Sequence, residues 1–479
     1  MKNAQAYSPR VQRRSNPRGR TDWSALTCGD LRAIHRILAE NHPGPLDGAN
    51  TAFRAWHEKG LTAALHQARE VKSFAGYYFG IRFYVAGFRD SHLTVSSRLQ
   101  PEAKVPRFLL AFRNDDFVIR EFSDPTNKSA RKVLISCDGR SPRELMLRNI
   151  FPFAGNPTLE ASWIEWTPWL LVDRSNPWIE RPIRYVRESE GRRVSALFKW
   201  RKLETRTPDD LVRRSQSGPP PPFAARSFAR DCVWISLPTF RPTGEVEAAK
   251  LNEIIKLAPS FRRKRIIVLD VRGNRGGNSQ WGDDLVRALY GKSYFDFRKS
   301  QDNPGTYAEW RVSHGNELYL RRRVNELRRQ FARNSPIIEM LRRVVEKMHD
   351  TRRRPREFCS DGIEGGKRSV HKRRHNPIDG QVFLLTDGWC GSACLDFADT
   401  LFLMGGIEHV GLTTNADSLY ADVRSENLPS GISQLTFAMK VYRNRARGNN
   451  VPYTVKHKWR GEISDTVGLE NWIIELARS

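Results

Sequence analysis

Apolar positions change period twice along the chain. From Thr21 they fall at three- and four-residue steps. Leu31, Ile34, Ile37 and Leu38 mark one face of a helix that stops at Asn41-His42-Pro43-Gly44-Pro45. Phe74, Tyr77, Tyr78, Ile81 and Val85 keep that spacing in a second helix-like stretch, about 52–88, which runs into Arg89-Asp90-Ser91-His92 and a β-like Leu93-Thr94-Val95. Between 105 and 230 short strand-like runs take over, among them Phe108–Phe112, Phe117–Ile119 and Val133–Ile135. Gln216-Ser217-Gly218 and Pro219–Pro222 read as a semi-rigid linker. Beyond it, Val233–Leu237, Ile266–Val271 and Val382–Leu385 are near-continuous apolar runs, the pattern of strands buried on both faces. Helix-like Trp281–Leu289 and Ser392–Leu403 follow the last two. Repetition of strand, loop and helix predicts an α/β core.

These changes suggest four parts: a basic tail at 1–20, a helical region at 21–95, a β-rich region at 96–222 and an α/β domain at 223–479. The last contains a basic insert at about 296–378, with helices expected at Leu320–Phe331 and Ile337–Met348. A length of 479 residues with 39% apolar and 10% aromatic residues excludes a disordered chain. No apolar run approaches the ~20 residues a membrane-spanning helix needs. The net charge of +27 is regional, with +6 in residues 1–20 and +11 in 321–374. No nucleic-acid-binding module accompanies it, so no specific nucleic-acid partner is expected. Residues 1–20 lack the apolar stretch of a secretory signal, which leaves the compartment open between cytoplasmic and exported. The six cysteines include no zinc-like spacing, and neither metal nor cofactor is expected.

Three places offer chemistry. Ser392 lies where a strand meets a helix, at the positive end of the helix dipole, with free backbone N–H groups nearby and small neighbours in Gly391 and Ala393. An N-cap serine would look the same, and the GxSxG elbow of α/β-hydrolases is absent. Asp270–Asn278 carries three glycines in five residues, enough for a close backbone approach or a nest of donors. It matches neither a phosphate nor a dinucleotide loop. Asp90-Ser91-His92 supplies a histidine, the usual base for a serine nucleophile.

Taken together, these stretches resemble the tail-specific (C-terminal-processing) serine peptidases. Leu269–Gly277 is similar to that family's DLRxNxGG loop. Cys390-Gly391-Ser392-Ala393-Cys394, with Gly411-Leu412-Thr413-Thr414 downstream, is similar to its SASASE…GExT segment. Val233–Leu237 resembles the strand that opens its catalytic domain. The resemblance implies a crotonase/ClpP-like core, a peptide substrate and Ser392 as nucleophile. Asp90-Ser91-His92-Leu93 is similar to the DGH/TSH signature of the tricorn-like branch, which implies His92 as general base and places Ser91 beside it. Gly276, Gly277 and Ala393 would then form the oxyanion hole. Val133–Leu145, with its Asp138-Gly139 turn, resembles the strand–turn–helix of a PDZ-like module.

The departures are specific. The lysine base of the bacterial branch falls on Asp417, the glutamate of SASE on Leu395, and asparagines stand near Gly448–Pro452 where the tricorn-like branch has a late glutamate. The expectation is a serine peptidase, with a catalytically degenerate peptide- or ligand-binding homologue as the alternative. Cys390 and Cys394 flank the serine. Two buried thiols are the simpler reading, and a bracing disulfide or redox gate is the other. The basic insert reads equally as a lid over the cleft or as a solvated helical hairpin.

Overall fold

The computed structural model describes residues 21–123, 131–203, 220–301, 306–330, 336–354, 356–361 and 373–478. The basic tail, all of the Gln216–Pro222 linker but its last three prolines, and Phe331 lie outside them.

Six strands form the main sheet of the α/β domain, in the order His457–Lys458, Ile407–Gly411, Gln381–Thr386, Ile266–Asp270, Cys232–Ser236 and Ala224–Ala229. All neighbours are parallel except the last pair, a hairpin. The apolar runs are continuous because alternate residues enter two different cores. Trp234, Val268, Phe383 and Leu385 pack on one face with the β-rich region and the C-terminal helix Thr466–Leu476. Val233, Ile235, Ile267, Leu269, Val382 and Leu384 pack on the other, beneath helices Gly244–Leu257, Ser279–Tyr290 and Ala393–Met404. Period-two alternation with both faces apolar is what a covered parallel sheet requires.

The β-rich region is an antiparallel meander of Phe108–Arg113, Asp116–Glu121, Lys132–Cys137, Arg184–Ser189 and Arg192–Leu197. At the front lie helices α1 (Trp23–Asn41), α2 (Thr51–Ala68) and α3 (Phe74–Ala86). The single stretch expected at 52–88 is thus two helices. Ser73 accepts from Gly76 N–H at 3.2 Å and starts the second. Leu31, Ile34, Phe53, Tyr77 and Ile81 pack on Leu435, Phe437 and Val441 of the long strand Ser433–Arg443. Thr94–Ser97 pairs antiparallel with that strand, Thr94 opposite Thr436.

The basic insert also departs from expectation. Its ends contribute strands Tyr307–Arg311 and Phe358–Ser360, which join Ser433–Arg443 in a second sheet. Helices His314–Gln330 and Pro336–Arg352 close over Trp310, Cys359 and Met439 with Leu320, Val324, Ile338 and Met348. Among the described residues, no helix is long and apolar enough to cross a membrane.

Candidate active site

Both glycine-rich loops leave the carboxyl ends of parallel strands, the edge where open α/β sheets hold ligands. The first follows Ile266–Asp270. Asp270, fully buried, takes a two-point ion pair from Arg272, with Nε to Oδ1 at 2.9 Å and Nη2 to Oδ2 at 2.6 Å, and a bond from Trp234 Nε1 at 2.9 Å. Arg272 Nη1 also donates to the Ile463 carbonyl at 2.6 Å, tying the loop to the segment before the last helix. The charges of this motif are therefore structural.

Asn274 closes the turn from within. Its Nδ2 donates to the Leu237 carbonyl at 2.8 Å and its Oδ1 accepts the Gly276 N–H at 2.9 Å. The Gly276 N–H expected to face an oxyanion is thus engaged by Asn274 in this structure. Gly276 matters through its lack of a side chain. At φ +90°, an added Cβ would sit 2.7 Å from Ala393 N, the Gly391 carbonyl and Ser392 Cβ. Among the described residues, the N–H groups of Gly277 and Ala393 make no hydrogen bond.

The second loop follows Gln381–Thr386. Asp387, whose carboxyl burial pushes up to about 6, accepts from Trp389 N–H at 3.0 Å and from Gly273 N–H at 2.9 Å, pinning the two loops together. Ser392 then adopts φ 54° and ψ −126° as the N-cap of Ala393–Met404. A non-glycine residue there carries strain of about 1–3 kcal/mol. This is the backbone device of a nucleophile elbow, reached without the GxSxG spacing. Cys390 and Cys394 are joined by a disulfide across this turn, with Cα atoms 5.3 Å apart, so the two-thiol reading is overturned. The start of the helix is held by Asp396 and Asp399, which pair with Arg445 and Arg447.

The opposite wall comes from the turn after α3. The Asp90 carboxylate is the hub. Its Oδ1 accepts the His92 N–H at 3.0 Å and the Ser418 hydroxyl at 2.6 Å, and its Oδ2 accepts from His42 Nε2 at 3.2 Å. His42 Nδ1 accepts the Gly44 N–H at 2.9 Å, so the proton sits on Nε2 and points at Asp90. Burial alone would raise the Asp90 pKa, but the hydrogen bonds from His42 and Ser418 help to outweigh it and hold the group below the usual carboxylate range. The local sequence shows Asp90 but not this role, because its partners come from positions 42 and 418.

One cleft of about 1550 Å³ brings Ser91, His92 and Ser392 together, while Gly276, Gly277 and Ala393 are not part of its described lining. Ser91, His92, Gly391, Ser392, Asp417 and Asn450 all line it, with Arg82, Arg241, Arg275 and Glu165 around them. Ser91 is exposed and His92 half-buried, its Nδ1 buried and without a partner. Among the described residues no hydrogen bond joins the Ser392 hydroxyl to the His92 ring. Catalytic bonds are commonly long without substrate. No described residue of the basic hairpin lines the cleft, which argues against its being a lid. A second cavity of about 870 Å³, walled by Tyr78, Phe79, Trp169 and Trp200, adjoins the cleft through Arg82, Phe153, Ala154 and Trp166. Among the described residues, no group of three or more His, Cys, Asp or Glu side chains could hold a metal.

The sequence profile described as Peptidase family S41 matches residues 231–447, which span both glycine-rich loops, Ser392 and Asp417. Over that segment, somewhat under half of the chain, the protein is similar to peptidase family S41. The match and the fold support a serine-type peptidase with a ClpP-like α/β core, a helical N-terminal region and a β-rich middle. Mature CPAF is a structural neighbour of this peptidase at 12% identity and a TM-score of 0.62, with 95% of this chain and 97% of that chain covered. CPAF complexed with lactacystin gives the same identity and score, with 95% and 98% covered. At that identity the likeness is one of fold. The tricorn protease aligns with 95% of this chain and 37% of its own at 10% identity, and its TM-score of 0.38 carries no weight. No curated protein matches the peptidase.

Proposed function

We propose that the chain hydrolyses peptide bonds through an acyl-enzyme, with Ser392 as nucleophile and His92 as general base. The observation that carries this reading is the strained Ser392 at a strand–helix junction, with His92 lining the same cleft. His92 takes the hydroxyl proton as Ser392 Oγ bonds to the substrate carbonyl carbon. The tetrahedral oxyanion is received by the free N–H groups of Gly277 and Ala393, each contributing about 3–4 kcal/mol if it acts as comparable donors do. Collapse expels the amine, which takes the proton from His92. A water deprotonated by His92 then cleaves the ester and restores Ser392. Ser91 is placed beside the base on an exposed turn, with access to substrate and not to the buried network. The adjoining aromatic cavity is shaped for a bulky apolar side chain of the peptide.

A fluorophosphonate probe tests the reading without knowledge of the substrate. Wild type should be labelled at Ser392, and both Ser392→Ala and His92→Ala should lose labelling by several orders of magnitude. A fully folded wild type that resists the probe between pH 5 and 9 would favour the degenerate, binding-only alternative.

A further inference from the structure

The proposed relay lacks a carboxylate on His92. Near Gly448–Pro452, where the resemblance places the branch's late glutamate, the chain has Asn449 and Asn450, and it is Asn450 that lines the cleft. Its backbone N–H donates to the Asp417 carbonyl at 2.8 Å and its Nδ2 to the Arg89 carbonyl at 3.0 Å, so it fastens two segments and carries no charge. Asp90 is spent on His42, Ser418 and the His92 backbone. His92 Nδ1, which must carry a proton once the other ring nitrogen accepts one from Ser392, is buried and unpartnered.

We propose that Asp417 is the carboxylate that orients His92 and balances its charge during proton transfer, which makes it a positioning residue resting on the Ser392/His92 reading. Asp417 is 7% exposed and lines the same cleft as Ser392 and His92, and the Ser392 backbone N–H and the charge of His92 both favour its ionised form. Its loop is strapped to both sides. Asn415 N–H donates to the Cys390 carbonyl at 3.0 Å on the nucleophile side, and Ser418 reaches Asp90 on the base side. Asn415, two residues before Asp417, and Ser418, the residue after it, are thus each fixed against one half of the pair. The position that carries the lysine base of the bacterial branch carries the opposite charge here, and a carboxylate suits a histidine base where an ammonium group would repel its charged form.

Burial raises the Asp417 pKa, while the charges of His92 and Arg447 lower it, so the carboxylate and His92 are electrostatically coupled. The other charged groups facing His92 are Asp90 and Arg89 on its own turn, Arg82 on α3, Glu165 on the aromatic wall, and Arg241 and Arg275 across the cleft. Behind Asp417 stand Asp396 and Arg447, which are paired with each other. Asp417→Asn leaves all of these in place and removes one negative charge.

The experiment is the pH dependence of inactivation by a fluorophosphonate on the full chain. In Asp417→Asn the acid limb, which reports His92, should move to lower pH by about 0.5–1 unit, because the imidazolium loses a stabilising charge. The plateau rate should fall on the order of 100-fold or more, as when a triad carboxylate is neutralised. Asp417→Glu should recover part of the rate and restore the limb, which distinguishes the charge from a packing role. An unmoved limb with a rate within about threefold of wild type overturns the assignment of Asp417 while leaving Ser392 and His92 standing. Labelling that survives in Ser392→Ala or His92→Ala overturns both.

Discussion

Gly276 shows how little room the reaction centre has. Its backbone is at φ +90°, and three atoms of the Gly391–Ala393 turn lie 2.7 Å from where a Cβ would be. Gly276→Ala would force the two loops apart and add left-handed strain of about 1–2 kcal/mol. We expect labelling by the fluorophosphonate to fall on the order of 100-fold, since a shift of an ångström at a reacting centre has that effect, while the melting transition moves little. Activity within threefold of wild type would show that the loop does not border the reacting atoms. The serine, the histidine and the glycines are all legible in the sequence as residue types in a family-like order. The roles of Asp90 and Asn274 are not, because their hydrogen-bond partners lie at distant positions or on the backbone. The commitment of the Gly276 N–H to Asn274 is invisible for the same reason.

Among the elements, the helix Ala393–Met404 is the one on which most depends. Its first turn carries the Ala393 donor, its N-cap is Ser392, and the Cys390–Cys394 disulfide closes the turn between strand and helix. Closing so short a loop is worth about 2 kcal/mol by chain entropy. The double substitution Cys390→Ser with Cys394→Ser should therefore lower the unfolding free energy by about that amount in urea. The chain should still fold, because Asp396 and Asp399 keep the helix docked on Arg445 and Arg447. Labelling of Ser392 should slow as its strained conformation is released. If neither stability nor labelling changes, the disulfide does not brace the elbow. Sequence spacing identifies the helix well, within a residue at each end. It leaves the cysteine pairing open, because whether residues at i and i+4 meet depends on the positive φ between them, a backbone choice enforced by the neighbouring loop. The same limit applies to the insert, whose two helices are periodic enough to predict. Its flanking strands are short, and their partner, Ser433–Arg443, lies later in the chain.

Across the whole molecule, 300 residues separate His92 from Ser392 in the chain, and two sheets bring them to one cleft. His92 arrives on a turn held by Thr94–Ser97 against Ser433–Arg443, and Ser392 arrives at the end of the parallel sheet. The helical region cannot be treated as a removable accessory. Its removal would expose Tyr420, Leu435, Phe437 and Val441, all at most 1% accessible. Burying each such side chain is worth about 1.5–3 kcal/mol. A chain beginning at residue 94 should consequently be insoluble or lack a cooperative melting transition, beyond being inactive. A soluble, cooperatively folding truncation would show that the front helices dock as an independent module. By itself the sequence determined the α/β class, the order of helical and β-rich regions and the candidate serine, histidine and glycine loops, because periodicity and local spacing are properties of neighbouring residues. Only the tertiary structure decided that Ser392 is strained, that the cysteines pair, that the Gly276 donor is spent, that no described residue of the basic hairpin lines the cleft and that Asp417 shares that cleft with Ser392 and His92. The disulfide and the Gly276 bond join near neighbours whose backbone angles are set by the packed loops, and the others depend on contacts between residues far apart in the chain; neither leaves a local pattern to read.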